Sequence, residues 1–322
     1  MNNMNRIIYI LIVALGLGLA GGCATPKQEA PAEVLPLEAA DYHSRRFLME
    51  PEELKAQMDE GAEFLLIEVN KPEGYAKGHL PGAQRVWRPD YANAEDYEYG
   101  GMRAKKAQME ALLSRLGASA NSRIVLYDEK GNVDAARLWW LLRRYGHERL
   151  ALLNGGKTGW ELAGYPLSQQ VPLAQASTYH FSQPEEWLGL SIEMDEVLTA
   201  LQDTQTLILD TRTTDEYVGA QQKKGAFRAG RIPGSLHIDW AEAVNYGGDF
   251  RFKTFEELKA LYERKGATKN KRIIAYCHSG VRSAHTTFVL TELLGFPEVK
   301  NYDGSWTEWS YHKELPFETT TN

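Results

Sequence analysis

Short apolar runs recur along this chain, each bounded by polar or turn-forming residues. Leu65-Leu66-Ile67-Glu68-Val69, Ile124-Val125-Leu126-Tyr127, Leu207-Ile208-Leu209 and Ile273-Ile274-Ala275-Tyr276 are too short for helices and rich in branched and aromatic side chains, which predicts buried strands. Between them lie stretches with helical spacing. The clearest is Ser283–Leu294, set between Ile273–Tyr276 and a further strand-like run, Val299–Tyr302. Strand, helix and strand in alternation predict an α/β fold with a parallel sheet flanked by helices, because parallel neighbours need a crossover that is usually helical.

The pattern repeats once. Gly78-His79-Leu80-Pro81-Gly82 returns 152 residues later as Gly230-Arg231-Ile232-Pro233-Gly234, and Arg123–Tyr127 returns 149 residues later as Arg272–Tyr276. Gly131 with Gly280, and Asn154-Gly155 and Trp160 with Asp303-Gly304 and Trp309, keep the spacing of 149. Leu65–Asn70 matches Leu207–Arg212 at only 142, so the second copy carries ten extra residues, roughly Gly219 to Phe227, before its Gly-x-x-Pro-Gly turn. Domains are expected at 41–165 and 191–318. The segment 166–190, with Pro172, Pro184 and many Gln and Ser, reads as a linker that can pack partly on them.

A length of 322 residues with 43% hydrophobic content fits one large or two medium domains and excludes disorder as the main state. A net charge of -7 gives no general basic field, so nucleic acid is not an expected partner. Two cysteines, Cys23 and Cys277, are too few for a disulfide framework or a cysteine-based zinc site. With no glycine-rich nucleotide loop and no clustered metal ligands, neither cofactor nor metal is expected. Arg6 followed by the apolar run Ile7–Leu19 reads as an export signal, too short for a membrane span. Leu19-Ala20-Gly21-Gly22-Cys23 is similar to a bacterial lipobox. That similarity implies a signal peptide over 1–23, a lipid on Cys23 and a tether over 24–40, and Ala24 favours the periplasmic face of the outer membrane. An ordinary signal peptide with a free Cys23 is the plainer alternative.

Cys277 closes one strand-like run and opens Cys277-His278-Ser279-Gly280-Val281-Arg282-Ser283 before a helical pattern. A strand, tight loop and helix start turn successive N–H groups inward and add the positive end of the helix dipole, which favours an anion at the centre. The same field, helped by Arg282, favours thiolate at Cys277. Gly280 supplies the backbone freedom such a loop needs. The Cys-x4-Arg spacing makes a ring one residue shorter than the Cys-x5-Arg loop of cysteine phosphatases, so it suits a sulfur atom carried on the cysteine better than a phosphoryl group.

These residues, with Asp210-Thr211-Arg212, Gly230–Gly234, Tyr302-Asp303-Gly304-Ser305-Trp306 and Trp309, resemble the tandem-domain rhodanese family over about residues 43 to 318. The resemblance implies two rhodanese-like domains and ping-pong sulfur transfer through a Cys277 persulfide. Thiosulfate or 3-mercaptopyruvate is the implied donor, and cyanide or a thiol the acceptor. His278, Ser279, Gly280, Val281, Arg282 and Ser283 are the implied substrate contacts, with Arg282 nearest the donor's oxyanion. Lys224 is the preferred cation from the insertion, ahead of Lys223 and Arg228. Arg212 is a secondary candidate, since a buried structural pair with Asp210 is the commoner arrangement. His278 is expected to tune Cys277, to bond a donor, or to be a solvated loop histidine. His237 and His285 read as packing or surface residues, and Trp306 and Trp309 as core or rim aromatics.

Ser279 matches the mercaptopyruvate-preferring relatives and Arg282 the bacterial thiosulfate enzymes, while Glu216 stands near where animal tandem enzymes carry an arginine. Donor choice therefore stays open, with thiosulfate ahead. In the first copy Asp128, Val133, Glu68 and Asn70 stand at the positions of Cys277, Arg282, Asp210 and Arg212. That copy is expected to wall one side of the cleft without reacting. A sulfane-sulfur carrier or sensor loaded by a protein partner is the alternative function. A phosphatase or arsenate reductase is disfavoured by the loop spacing.

Overall fold

The computed structural model describes residues 42–93, 95–185, 187 and 189–320; the expected signal peptide, Cys23 and the tether lie outside them. Each copy of the repeat builds a five-stranded sheet. The first holds β1 (Leu48–Met49), β2 (Leu65–Val69), β3 (Gln84–Val86), β4 (Ile124–Tyr127) and β5 (Leu150–Leu153), in spatial order β1-β5-β4-β2-β3. The second holds β6 (Ser191–Ile192), β7 (Thr206–Asp210), β8 (Leu236–His237), β9 (Arg272–Tyr276) and β10 (Val299–Tyr302), in the matching order β6-β10-β9-β7-β8. Every pairing is parallel, as the alternation of strands and helices requires. Helices α1 (Pro51–Asp59), α2 (Pro72–Lys77), α3 (Lys106–Arg115), α4 (Val133–Arg144) and α5 (Gly156–Leu162) flank the first sheet. Helices α6 (Met194–Ala200), α7 (Thr214–Val218), α8 (Phe255–Glu263), α9 (Val281–Phe288) and α10 (Ser305–Tyr311) flank the second.

The central strands β4 and β9 are buried along their apolar residues, which explains why they read as continuous rather than alternating runs. Their register confirms the repeat. Glu68 lies opposite Tyr127, and Asp210 opposite Tyr276, which reproduces the spacings of 142 and 149. Each tyrosine hydroxyl accepts the N–H of the central residue of its Gly-x-x-Pro-Gly turn, from Leu80 at 2.9 Å and from Ile232 at 3.2 Å. In the second sheet the chain leaves β7 toward β8 and leaves β9 toward β10, in opposite directions. A crevice opens where adjacent connections diverge in this way, and it lies beside Cys277.

The two halves share one core. Helix α4 lies against α9, and a single cluster of buried side chains runs through both halves. In it Trp139 meets Phe288 edge-on at 4.9 Å, and Phe252 stacks on Phe288 at 5.3 Å. Helix α4 is buried on nearly every side, between the first sheet and α9. The segment 166–190 straps the first half: Ser168 bridges His79, the Ser177 N–H donates to the Ser114 carbonyl at 2.9 Å, and Tyr179 and Phe181 are buried. The inserted residues follow α7 at Gly219, whose φ of 82° turns the chain out, and the chain returns at Arg231, which bridges Glu318. Among the described residues no helix is long and apolar enough to cross a membrane.

Candidate active site

Strand β9 delivers Cys277 to the bottom of the loop, where the residue is only 1% exposed. Gly280 sits at φ 73° and caps α9. A side chain there would meet the Arg137 guanidinium at 2.6 Å and the Asp303 carbonyl at 2.7 Å, so the glycine is required twice over. The start of α10 clamps the loop from below. The Ser305 hydroxyl accepts the N–H groups of Cys277 (3.1 Å) and Gly280 (3.0 Å) and donates to the Tyr302 carbonyl (2.8 Å). The carbonyls of Cys277 and His278 accept from the N–H groups of Trp306 and Thr307, and the Thr307 hydroxyl adds a bond of 2.6 Å to His278.

Burial alone pushes the Cys277 thiol up, but the charge of Arg282 and the inward N–H groups of Ser283 and Ser279 outweigh it and bring it down to about 7. The expected thiolate field is therefore present. Arg282 stands where the sequence puts it, yet both of its terminal nitrogens are taken: Nη1 donates to Glu216 Oε2 at 2.6 Å and Nη2 to Oε1 at 2.8 Å. Burial pushes Glu216 up, but Arg282 holds it down at about 2, so the pair stays ionised. Arg212 forks onto Asp210 at 2.6–3.0 Å and donates to the Gly230 carbonyl at 2.8 Å, with the Trp306 ring 5.1 Å away. It is the buried structural pair, and it shapes the strand end rather than lining the cavity.

Between the halves, above the loop, lies a cavity of about 470 Å³. The second half lines it with His278, Ser279, Val281, Thr307 and, from the insertion, Lys224. His278 is half-buried. Its Nε2 lies 3.1 Å from the Lys224 carbonyl, and burial, then the charge of Lys223, pushes its pKa down to about 4, so the neutral ring ties the insertion to the loop. Lys223, ranked below Lys224 in the sequence reading, also feels the site: desolvation and then Arg282 lower its pKa, and Glu216 and Cys277 act on it from the other side. Arg228 instead donates to carbonyls of His312 and Leu315 and holds the chain end. His237 stacks on Tyr217 and His285 is fully buried, and Trp306 and Trp309 are core residues.

The other wall comes from the first half and was invisible in the sequence. Trp87, Arg88 and Tyr91, in and before the short 3-10 turn after β3, and Gly101 line it. Gly101 packs so closely on Ser279 that a side chain there would stand 2.5 Å from the serine Cβ. Arg137 of α4 reaches across to pair with Asp303 at 2.5 Å, and Arg103 donates its N–H to the same carboxylate at 3.0 Å. None of these residues belongs to a motif, and only the position of Arg88, equivalent to Trp240 in the second copy at the spacing of 152, ties it to the repeat.

The model of the family described as "Rhodanese-like domain" matches residues 50–163 and again 193–312. The chain belongs to the rhodanese family. It is 39% identical over 245 residues to "Sulfur carrier protein TtuD" of Thermus thermophilus, covering 73% of this chain and 83% of that protein. It is 36% identical to the "Putative thiosulfate sulfurtransferase" of Saccharopolyspora erythraea, covering 76% and 86% of the two chains. Among solved structures it superposes on the anaerobic ergothioneine biosynthesis enzyme from Chlorobium limicola with a TM-score of 0.77, at 24% identity, over 87% of this chain and 72% of that one. The first of these sequence relatives is named for carrying sulfur and the second for transferring it.

The first rhodanese domain keeps the loop and fills it. Asp128, at the Cys277 position, accepts the N–H groups of Lys130 and Asn132 on Oδ1 (2.7 and 2.8 Å) and those of Asp134 and Ala135 on Oδ2 (2.8 and 3.2 Å). The carboxylate occupies the anion seat itself. Glu68 and Asn70, replacing Asp210 and Arg212, bond each other at 2.8 Å, and Lys157 of α5 supplies the missing cation at 3.3 Å from Glu68. Over Gly131, the counterpart of Gly280, the second rhodanese domain places Val244, Phe250 and Trp240 at 3.3–3.7 Å from where a Cβ would lie, so the space above this loop is packed.

Proposed function

We propose that the protein is a sulfurtransferase that takes a sulfur atom from an anionic donor, thiosulfate ahead of 3-mercaptopyruvate, and passes it to a thiophilic acceptor through a persulfide on Cys277. The observation that carries this reading is Cys277 itself, a thiol brought down to about 7 inside a ring of N–H groups under Arg282. The thiolate attacks the outer sulfur of thiosulfate. A bond forms between the two sulfurs, the donor's sulfur–sulfur bond breaks, and its electron pair leaves on sulfite. The cysteine persulfide anion that results is seated on the loop N–H groups. Attack by cyanide or a thiolate on the outer sulfur returns the Cys277 thiolate. His278, neutral at physiological pH, holds the insertion over the site and neither gives nor takes a proton.

The test is cyanide-dependent turnover with thiosulfate and with 3-mercaptopyruvate, together with intact mass after donor alone. Unsubstituted protein gains one sulfur and turns over repeatedly, and Cys277→Ser does neither; turnover by that variant overturns the reading. A second reading, a sulfane-sulfur carrier loaded by a protein, is favoured by the name of the Thermus relative. One loading without repeated turnover decides for it. The lipid on Cys23 and attachment at the periplasmic face of the outer membrane belong to the same proposal. Labelled palmitate enters the native chain and not Cys23→Ser, and an unlabelled native chain overturns the anchor.

A further inference from the structure

Resting on the sulfurtransferase reading, we infer that Arg88, from the domain without the nucleophile, holds the anionic end of the sulfur donor and its leaving group. A donor such as thiosulfate needs cations with open donors at the cavity above Cys277; Lys224 of the insertion lines it as a point charge, while the arginines around the loop are engaged elsewhere. Both Nη atoms of Arg282 are used by Glu216, and Arg212 is spent on Asp210 and the Gly230 carbonyl. Arg137 is committed to Asp303 and to the Gly280 and Gly101 carbonyls.

Arg88 differs from all three. Its Nε donates to Asp134 Oδ1 at 2.7 Å, and among the described residues no group bonds its Nη1 or Nη2. The side chain is 47% exposed and lines the same cavity as Ser279, with the Trp87 ring 5.2 Å from the guanidinium. A guanidinium fixed through Nε leaves its two parallel N–H bonds free, the arrangement that fits two oxygens of a sulfonate or carboxylate. Asp134, which fixes it, stands at the Ser283 position of the first loop and is itself buried. The inactive loop thus survives as the mount for an arginine that faces the active one.

The chemistry places the demand there. As the donor's sulfur–sulfur bond breaks, the electron pair moves onto the departing sulfite, and Arg88 meets that growing charge while the Cys277 loop meets the persulfide. Trp87 and Tyr91 give the same wall an apolar surface, and a cavity of about 470 Å³ has room for an organic body attached to the anion. The shared chemistry is the oxyanion, inorganic or organic, and comparing thiosulfate with 3-mercaptopyruvate separates the two.

The test is direct binding of each donor by calorimetry to the full-length chain in detergent, carrying Cys277→Ser so that no reaction intervenes. Arg88→Gln weakens binding of at least one donor about tenfold or more, and Arg88→Lys weakens it less. Unchanged binding in Arg88→Gln, or no saturable binding of either donor to the parent, overturns the proposal. With Cys277 restored, the rate of its alkylation by uncharged iodoacetamide is the control. It stays the same in Arg88→Gln if the arginine serves the anion, and an equal loss in alkylation and in loading from thiosulfate means a structural role and overturns it. Arginine-dependent binding in a protein that does not turn over sustains this proposal while removing the sulfurtransferase reading.

Discussion

A thiol buried in an apolar pocket is ordinarily a poor nucleophile, because desolvation penalises the thiolate. Cys277 escapes that fate through one fixed charge and two aimed N–H groups, and its reactivity should follow pH accordingly. Sulfur loading rises as the thiolate forms, is half-maximal near pH 7 and is flat about two pH units higher. The ordinary thiol value of 9.0 would leave little thiolate at neutrality. Arg282→Gln removes the largest stabilising charge and strands Glu216 nearby, so the midpoint climbs by about one to three pH units. Alkylation rates of Cys277 across pH check this, and an unmoved midpoint removes Arg282 from thiolate stabilisation.

At the scale of elements, the strands and the loop were legible because each leaves a local signal. Apolar runs mark β2, β4, β7 and β9, and the loop from Cys277 to Ser283 lies between a strand and a helix that both show their period. The partners of the loop leave weaker signals. Ser305, inside a motif that was noted, gave no hint that its hydroxyl accepts two loop N–H groups, since that depends on how the start of α10 folds under β9. Glu216 stands near where animal tandem enzymes carry an arginine, and nothing local in the sequence says that it is the partner that fills Arg282. Trp87 and Arg88 were out of reach altogether. Periodicity reports which face of an element is buried, whereas the reach of a side chain from one half into the other half's cavity depends on the packing of α4 against α9.

For the whole molecule, that packing makes stability a joint property of both halves, and His285 sits within it. The ring is fully buried, stacked on Phe252 at 5.1 Å and edge-on to Trp240 at 5.0 Å, and burial pushes its pKa down to about 3. The folded protein keeps this histidine neutral while the unfolded chain protonates it near the ordinary histidine value of 6.5. Its contribution is therefore fully present above about pH 6.5 and is lost as pH falls toward 3, at about 1.4 kcal/mol per pH unit. Denaturant titrations should show that slope, and His285→Phe, which keeps a ring in the same place, should flatten it between pH 6 and 4. An unchanged slope assigns the acid sensitivity to other groups. The Asp128 carboxylate, bonded to four N–H groups of the first loop, bears on stoichiometry. Under the sulfur-transfer reading, a polypeptide of 36.3 kDa built from two copies of one domain offers a single berth, so its payload is one atom per chain on these loops. Any product that takes up two sulfurs must then be served by two visits.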